Sequence, residues 1–189
     1  MNRNSLLNIA NFFCQLFKVI IGITIIMITA VFIHSQFEPD FYSEWKVNKP
    51  EVDSIVFIKT ETSTGQIPAH EEDLRFTDWK LASLYFNYLK FAGILFLIYL
   101  SISQFQKVLQ SVRKLETFHQ ANVDAFKNIG YYCLLITAFS IFNYWEFGNH
   151  ATTSFSVSLD ILLVALIAFI LAEIFKEGNN LMEENKFTV

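Results

Sequence analysis

The sequence predicts an all-α membrane protein: a four-transmembrane-helix bundle with a small mixed extracytoplasmic module between its first two helices. Four apolar stretches, 12–34, 81–105, 129–147 and 155–175, run 19 to 25 residues each. At about 1.5 Å of rise per residue, such lengths match a hydrocarbon core of roughly 30 Å. The composition is 53% hydrophobic with 21 phenylalanines and a mean hydropathy of +0.36, more apolar than an average soluble domain. The only two cysteines, Cys14 and Cys133, fall inside apolar stretches. No disulfide framework can therefore hold the hydrophilic part, and both thiols read as small buried hydrophobes.

The first stretch is longer than the core of a signal peptide, and Val31-Phe32-Ile33-His34-Ser35 lacks a small-x-small cleavage site, so it reads as a retained anchor. Lys and Arg near the span ends set the orientation. With the N-terminus inside, segments 1–11, 106–128 and 176–189 hold seven of them, against five in 35–80 and 148–154. The expectation is a multi-pass protein of the cell membrane with both termini cytoplasmic and the lipid bilayer as its first partner.

Segment 35–80 carries ten acidic residues against five basic ones. Phe37, Phe41 and Trp45 recur every four residues, which puts the aromatics on one face of a short interfacial helix. Residues 52–60 read as a strand because Val, Ile and Phe cluster there, and Ser63-Thr64-Gly65 reads as a turn to a partner strand toward Ile67. Trp79 then anchors the second span at the interface. The loop 106–128 has helix-period apolar residues at Val108, Val112 and Leu115, then Phe118, Val123 and Phe126, and reads as two short amphipathic helices. The fourth span runs to 175, and Gly178 is placed to end its helix in a left-handed conformation.

Polar groups inside a span are costly, so their placement carries information. In the second span Ser83, Asn87, Lys90, Gly93, Ser101 and Gln104 fall close to one stripe at 100° per residue; Gln15, Lys18, Gly22 and Thr29 do so in the first. Depth along the helices pairs Lys90 with Asp160, shared with Glu146, near Asn143, and pairs Lys18 with Glu173. One reading of these charges is a proton relay or a substrate site at mid-depth. The other is a set of interhelical ties that fix packing, and it is favoured because no run of carboxylates crosses the midplane.

His34, His70 and His150 all fall outside in this topology, so a metal site can be drawn through them. There is no close-spaced pair such as HExxH to support it, and no metal is assigned. GxSxG, Walker-type, GxGxxG and CxxC motifs do not occur, and six glycines leave little material for a phosphate cradle. No cofactor is expected, and no enzyme. Lys107, Arg113 and Lys114 flank a span, where anionic lipid headgroups explain them better than direct nucleic acid binding.

The tail ends on Phe187, Thr188 and Val189, which either add to the sheet edge of a partner or fold back on the protein's own inner face. Leu171-Ala172-Glu173-Ile174-Phe175-Lys176-Glu177-Gly178, followed by Leu181, Glu183, Glu184 and that Phe-Thr-Val ending, resembles the close of the bacterial family catalogued as domain of unknown function 2975. The inner loop agrees at Leu115, Phe118, Asn122, Val123, Lys127, Ile129 and Gly130. The glycine-glutamate pair often found before that phenylalanine is here replaced by Leu115-Glu116-Thr117. The family has no established activity, and its members are often encoded beside small helix-turn-helix regulators. The resemblance thus implies a non-enzymatic membrane sensor or regulatory partner, with Phe118, Asn122 and Phe187 to Val189 as the docking surface for a cytoplasmic regulator. The alternative is a small transporter or channel subunit working around Lys90, Asp160 and Asn143.

Overall fold

The computed structural model describes residues 3–47, 56–65 and 74–187. Among them four helices and three strands follow in the order α1 (Arg3–Phe37), β1 (Val56–Thr64), α2 (Leu81–Arg113), α3 (Gln120–Ile141), β2 (Phe142–Phe147), β3 (His150–Ser158) and α4 (Leu159–Phe187). Two helices are long and apolar enough to cross a membrane: α1, over Ser5–Phe37, and α2.

The third and fourth apolar stretches differ from expectation, because each is divided between a helix and a strand. Residues 142–147, Phe-Asn-Tyr-Trp-Glu-Phe, are rich in strand-favouring aromatics and form β2; the start of the fourth stretch belongs to β3. The uncharged parts left in α3 and α4 are 128–141 and 161–172, about 21 and about 18 Å of helix, short of a hydrocarbon core. Between β2 and β3 lies a two-residue turn, Gly148-Asn149, with Phe147 paired to His150 and Gly148 at φ +53. Glycine at the first central position is what a tight hairpin of this kind requires.

The sheet is antiparallel in the order β1-β3-β2. β1 arises between α1 and α2 as expected, yet its described neighbour is β3, from Val56 opposite Ser158 to Thr64 opposite Ala151. The expected start of that strand at 52–55 and the expected partner strand toward Ile67 lie outside the described residues. The interfacial helix through Phe37, Phe41 and Trp45 is also revised. α1 carries on to Phe37, and Pro39, which cannot donate a backbone hydrogen bond, opens a 3-10 turn at Pro39–Tyr42.

The chain divides into two compact units: Met1–Ile23 with Leu95–Ile136 and Ile161–Val189, and Thr24–Ile94 with Thr137–Asp160. The first unit is cored by Val108, Val123, Phe126, Ile129, Cys133 and small residues of α4. Ala165, Ala168 and Ala172 there let the helices approach closely. The second has an aromatic core of Leu74, Trp145 and Phe147 with Val47 and Trp79 packed on it.

In the first unit Gly178 does not end α4, which continues to Phe187. A side chain at 178 would collide with the ring of Phe118, so this glycine serves packing. The left-handed cap occurs instead at the end of α2. Glu116 N–H donates to the Ser111 carbonyl at 3.1 Å and Leu115 N–H to that of Val112 at 3.2 Å, the bond pattern of a Schellman turn, and Leu115 takes φ 66. A glycine adopts that conformation freely and a leucine does not. Because the Leu115 side chain is 69% exposed, it recovers little by burial. Replacing Leu115 with glycine should therefore raise stability by about 1 kcal/mol, read as a higher midpoint of thermal unfolding in detergent. An unchanged midpoint would mean that this left-handed residue carries no strain.

Candidate functional site

Ahead of α2 the chain pairs with β2 through its backbone. Gly148 N–H donates to the Asp78 carbonyl at 2.8 Å, and Lys80 N–H to that of Glu146 at 2.9 Å. Once residue 81 begins the helix, backbone pairing stops, because α2 spends its amides internally. Side chains of the predicted stripe then take over. Ser83 Oγ donates to the Tyr144 carbonyl at 3.0 Å and accepts from Glu146 N–H at 3.1 Å and Trp79 Nε1–H at 3.0 Å. Asn87 Nδ2 donates to Tyr144 O at 2.7 Å and to Ser83 O at 2.8 Å. Lys90 Nζ donates to Phe142 O at 2.9 Å and to the Asn143 carboxamide oxygen.

The contacts at residues 142, 144 and 146 occupy the edge of β2 away from β3, in steps of two as a strand demands. Ser83, Asn87 and Lys90 are 0%, 1% and 7% exposed. Above them Trp79 stacks on Trp145 with ring centroids 5.1 Å apart, and Phe86 meets Phe142 edge-on at 5.5 Å. The site is thus a row of polar side chains on one helix face, roofed by aromatics and closed on a strand edge.

Several sequence expectations are redrawn by this geometry. Lys90 meets neutral acceptors of β2 in place of Asp160, which stands in the first turn of α4, where a helix N-terminus favours a carboxylate. Asn143 and Glu146 lie on a strand, not on a third membrane helix. Glu146 accepts a hydrogen bond from the Tyr144 hydroxyl, and that bond holds the phenol above its ordinary pKa. Lys18 lies 5.8 Å from the Tyr99 ring centroid, a cation–π contact, and Glu173 pairs with Lys176 of its own helix at 2.6 Å. The proposed Lys18–Glu173 pair is replaced by those contacts.

The docking surface changes as well. Asn122 is 2% exposed, and its Nδ2 donates to Ser111 Oγ, Glu116 O and Thr117 O at 2.9, 3.1 and 2.7 Å. It fastens the α2–α3 turn and is not open to a partner. Phe118 packs on Phe175 and against Gly178. Phe187 is the last residue of α4, while Thr188 and Val189 lie outside the described residues, as does His70.

His34 Nδ1 shares a 3.0 Å hydrogen bond with the Tyr42 hydroxyl, and its Nε2 lies 3.8 Å from a Glu38 carboxylate oxygen. His150 is buried in β3 against Thr152, 3.1 Å away. Among the described residues no three His, Cys, Asp or Glu side chains come together as metal ligands.

The stripe was visible from spacing alone, whereas its acceptor, β2, was not. The signal available for it was the run Phe142 to Phe147 followed by Gly-Asn and a Thr- and Ser-rich run, a two-residue hairpin pattern. Lys90→Met should cost about 1–3 kcal/mol by leaving the Phe142 carbonyl and Asn143 without their donor, followed through Trp79 and Trp145 fluorescence during thermal unfolding. A loss of equal size in Asp160→Asn would point back to an ion pair.

No curated protein and no solved structure matches the chain. A family model described as Protein of unknown function (DUF2975) matches residues 55–189. That match takes in the stripe, all three strands, the α2–α3 turn and α4, and the chain belongs to this family.

Proposed function

We propose that the chain is a four-pass membrane protein with both termini cytoplasmic, acting as a sensor or regulatory partner of a cytoplasmic helix-turn-helix regulator and not as an enzyme. The lengths and apolarity of α1 and α2 support membrane insertion. On α3 and α4, Leu134, Leu135, Phe139, Leu163, Ile167 and Ile170 are exposed, as side chains meeting lipid would be. Lys127 borders the uncharged part of α3 and Lys176 lies four residues past that of α4; both can snorkel to the interface, with local thinning of the bilayer making up the length.

One observation carries the signalling reading: the edge of β2 is latched to a single helix by Ser83, Asn87 and Lys90. A displacement of the sheet must break buried polar bonds or move α2, a continuous helix of 33 residues whose far end is the capped turn at Leu115. A two-state element of that kind is what coupling between distant sites needs. The transporter reading is less well supported, because the Lys90 ammonium is engaged by Phe142 and Asn143 and has less to offer a substrate. Past the last turn of the apolar part, α4 exposes Leu181 and Met182, which gives a cytoplasmic partner an apolar contact.

The test is a pull-down from native membranes using the full chain, a chain lacking 181–189, and Lys90→Met. The regulator should copurify with the full chain, be lost on truncation, and change its recovery in Lys90→Met. Recovery of no cytoplasmic protein by the full chain would overturn the proposal.

A further inference from the structure

The two edges of the sheet are treated differently. That of β2 is closed by α2, while the described sheet neighbour of β1 is β3 alone. An open edge is a template for another strand. Residues 59–64 of β1 are exposed, and the strand carries two charges on one face. Lys59 and Glu61 stand 3.4 Å apart with side chains 62% and 40% exposed, and across the sheet they face Ser156 and Ser154, which carry no charge.

Self-pairing of this strand has a preferred register. With a twofold axis at Thr60, antiparallel strands bring Lys59 of each copy opposite Glu61 of the other, Thr60 opposite Thr60, and Val56 opposite Thr64. Moving the axis to residue 59 or 61 sets lysine against lysine or glutamate against glutamate. Opposite charges directly across a strand pair are stabilising and like charges are not, so charge selects the axis at Thr60.

We propose that β1 pairs antiparallel with β1 of a second copy of this chain across a twofold axis at Thr60, joining two three-stranded sheets into one. The contact is isologous, the same patch on both copies, and it closes at a dimer. It uses backbone groups for affinity and the Lys59–Glu61 pairs for register. The pairing does not rest on the signalling role.

The experiment uses the full chain in membranes, in a Cys14→Ser, Cys133→Ser background, with one cysteine added at Thr60 or at Thr64 and mild oxidation. Thr60→Cys should give a disulfide-linked dimer, and Thr64→Cys, which the register holds far from its own copy, should give little. Adding Lys59→Glu or Glu61→Lys to Thr60→Cys should weaken dimer formation roughly tenfold. Mixing the two charge variants should restore it, since each then meets its opposite across the axis. This mixture also separates the contact between chains from the contact of Lys59 with Glu61 within one chain, which neither single variant keeps. Equal yields at 60 and 64, no dimer at 60, or no restoration on mixing would each overturn the proposal; a monomer throughout would assign the edge to another segment of the same chain.

Discussion

A strand edge that is buried must find donors and acceptors for its backbone groups, because an unpaired one is costly. β2 meets that demand from α2, and much of the second unit is arranged around this contact. Backbone pairing runs from residue 148 to residue 146 and is then handed to side chains of increasing reach: the hydroxyl of Ser83, the carboxamide of Asn87 and the ammonium of Lys90. A strand advances about 3.3 Å per residue and a helix about 1.5 Å. The step from 146 to 142 along β2 is thus about 13 Å, and that from 83 to 90 along α2 about 10.5 Å. The difference is taken up by the longest side chain at the far end. Asn87 gives both of its principal hydrogen bonds from one nitrogen, leaving its buried Oδ1 without a partner among the described residues. Holding the edge takes precedence over satisfying that oxygen.

Lys90 shows how a charge can be kept in such a place without a countercharge. Two oxygens receive its ammonium, one from the backbone and one from a carboxamide, and hydrogen bonds from an ionised donor are about twice as strong as neutral ones. Burying an ion pair would have required desolvating Asp160 as well. That carboxylate is instead held in the first turn of α4, where the helix dipole favours it. Farther along α4, Glu173 and Lys176 form a pair three residues apart.

What was legible in the sequence follows from the range of the interaction concerned. The polar stripe of α2 could be read because a helical face is a local property, repeated every three to four residues. The acceptor could not, because hydropathy over a stretch such as 129–147 does not distinguish a helix from a helix followed by an aromatic strand. Only the Gly148-Asn149 turn marked the difference. Depth arguments paired Lys90 with Asp160 by starting the fourth helix at 155; β3 takes residues 155–158, so Asp160 falls in the first turn of α4 and Lys90 meets β2. Gly178 shows the same limit at short range: a glycine near a helix end reads as a cap, whereas its use here is to admit the ring of Phe118. Asn122 was visible as a polar residue in the inner loop, yet nothing local could tell a docking group from one whose donors bind the preceding turn.

The junctions of the sheet with the helices are abrupt. α3 ends at Ile141 and β2 begins at Phe142; β3 ends at Ser158 and α4 begins at Leu159. No linker residue separates strand from helix at either place. β1 comes from the α1–α2 connection and pairs with β3, from the α3–α4 connection, so the sheet binds two connections that are far apart in sequence. Ordinary loops absorb displacement through soft backbone dihedrals. Here each strand of a hydrogen-bonded ladder continues directly into a helix, so the last turn of α3 and the first turn of α4 have no soft joint next to the sheet. With the first turns of α2 tied to β2 by backbone and side-chain bonds, and β1 paired to β3, the second unit holds together segments that lie far apart in the sequence.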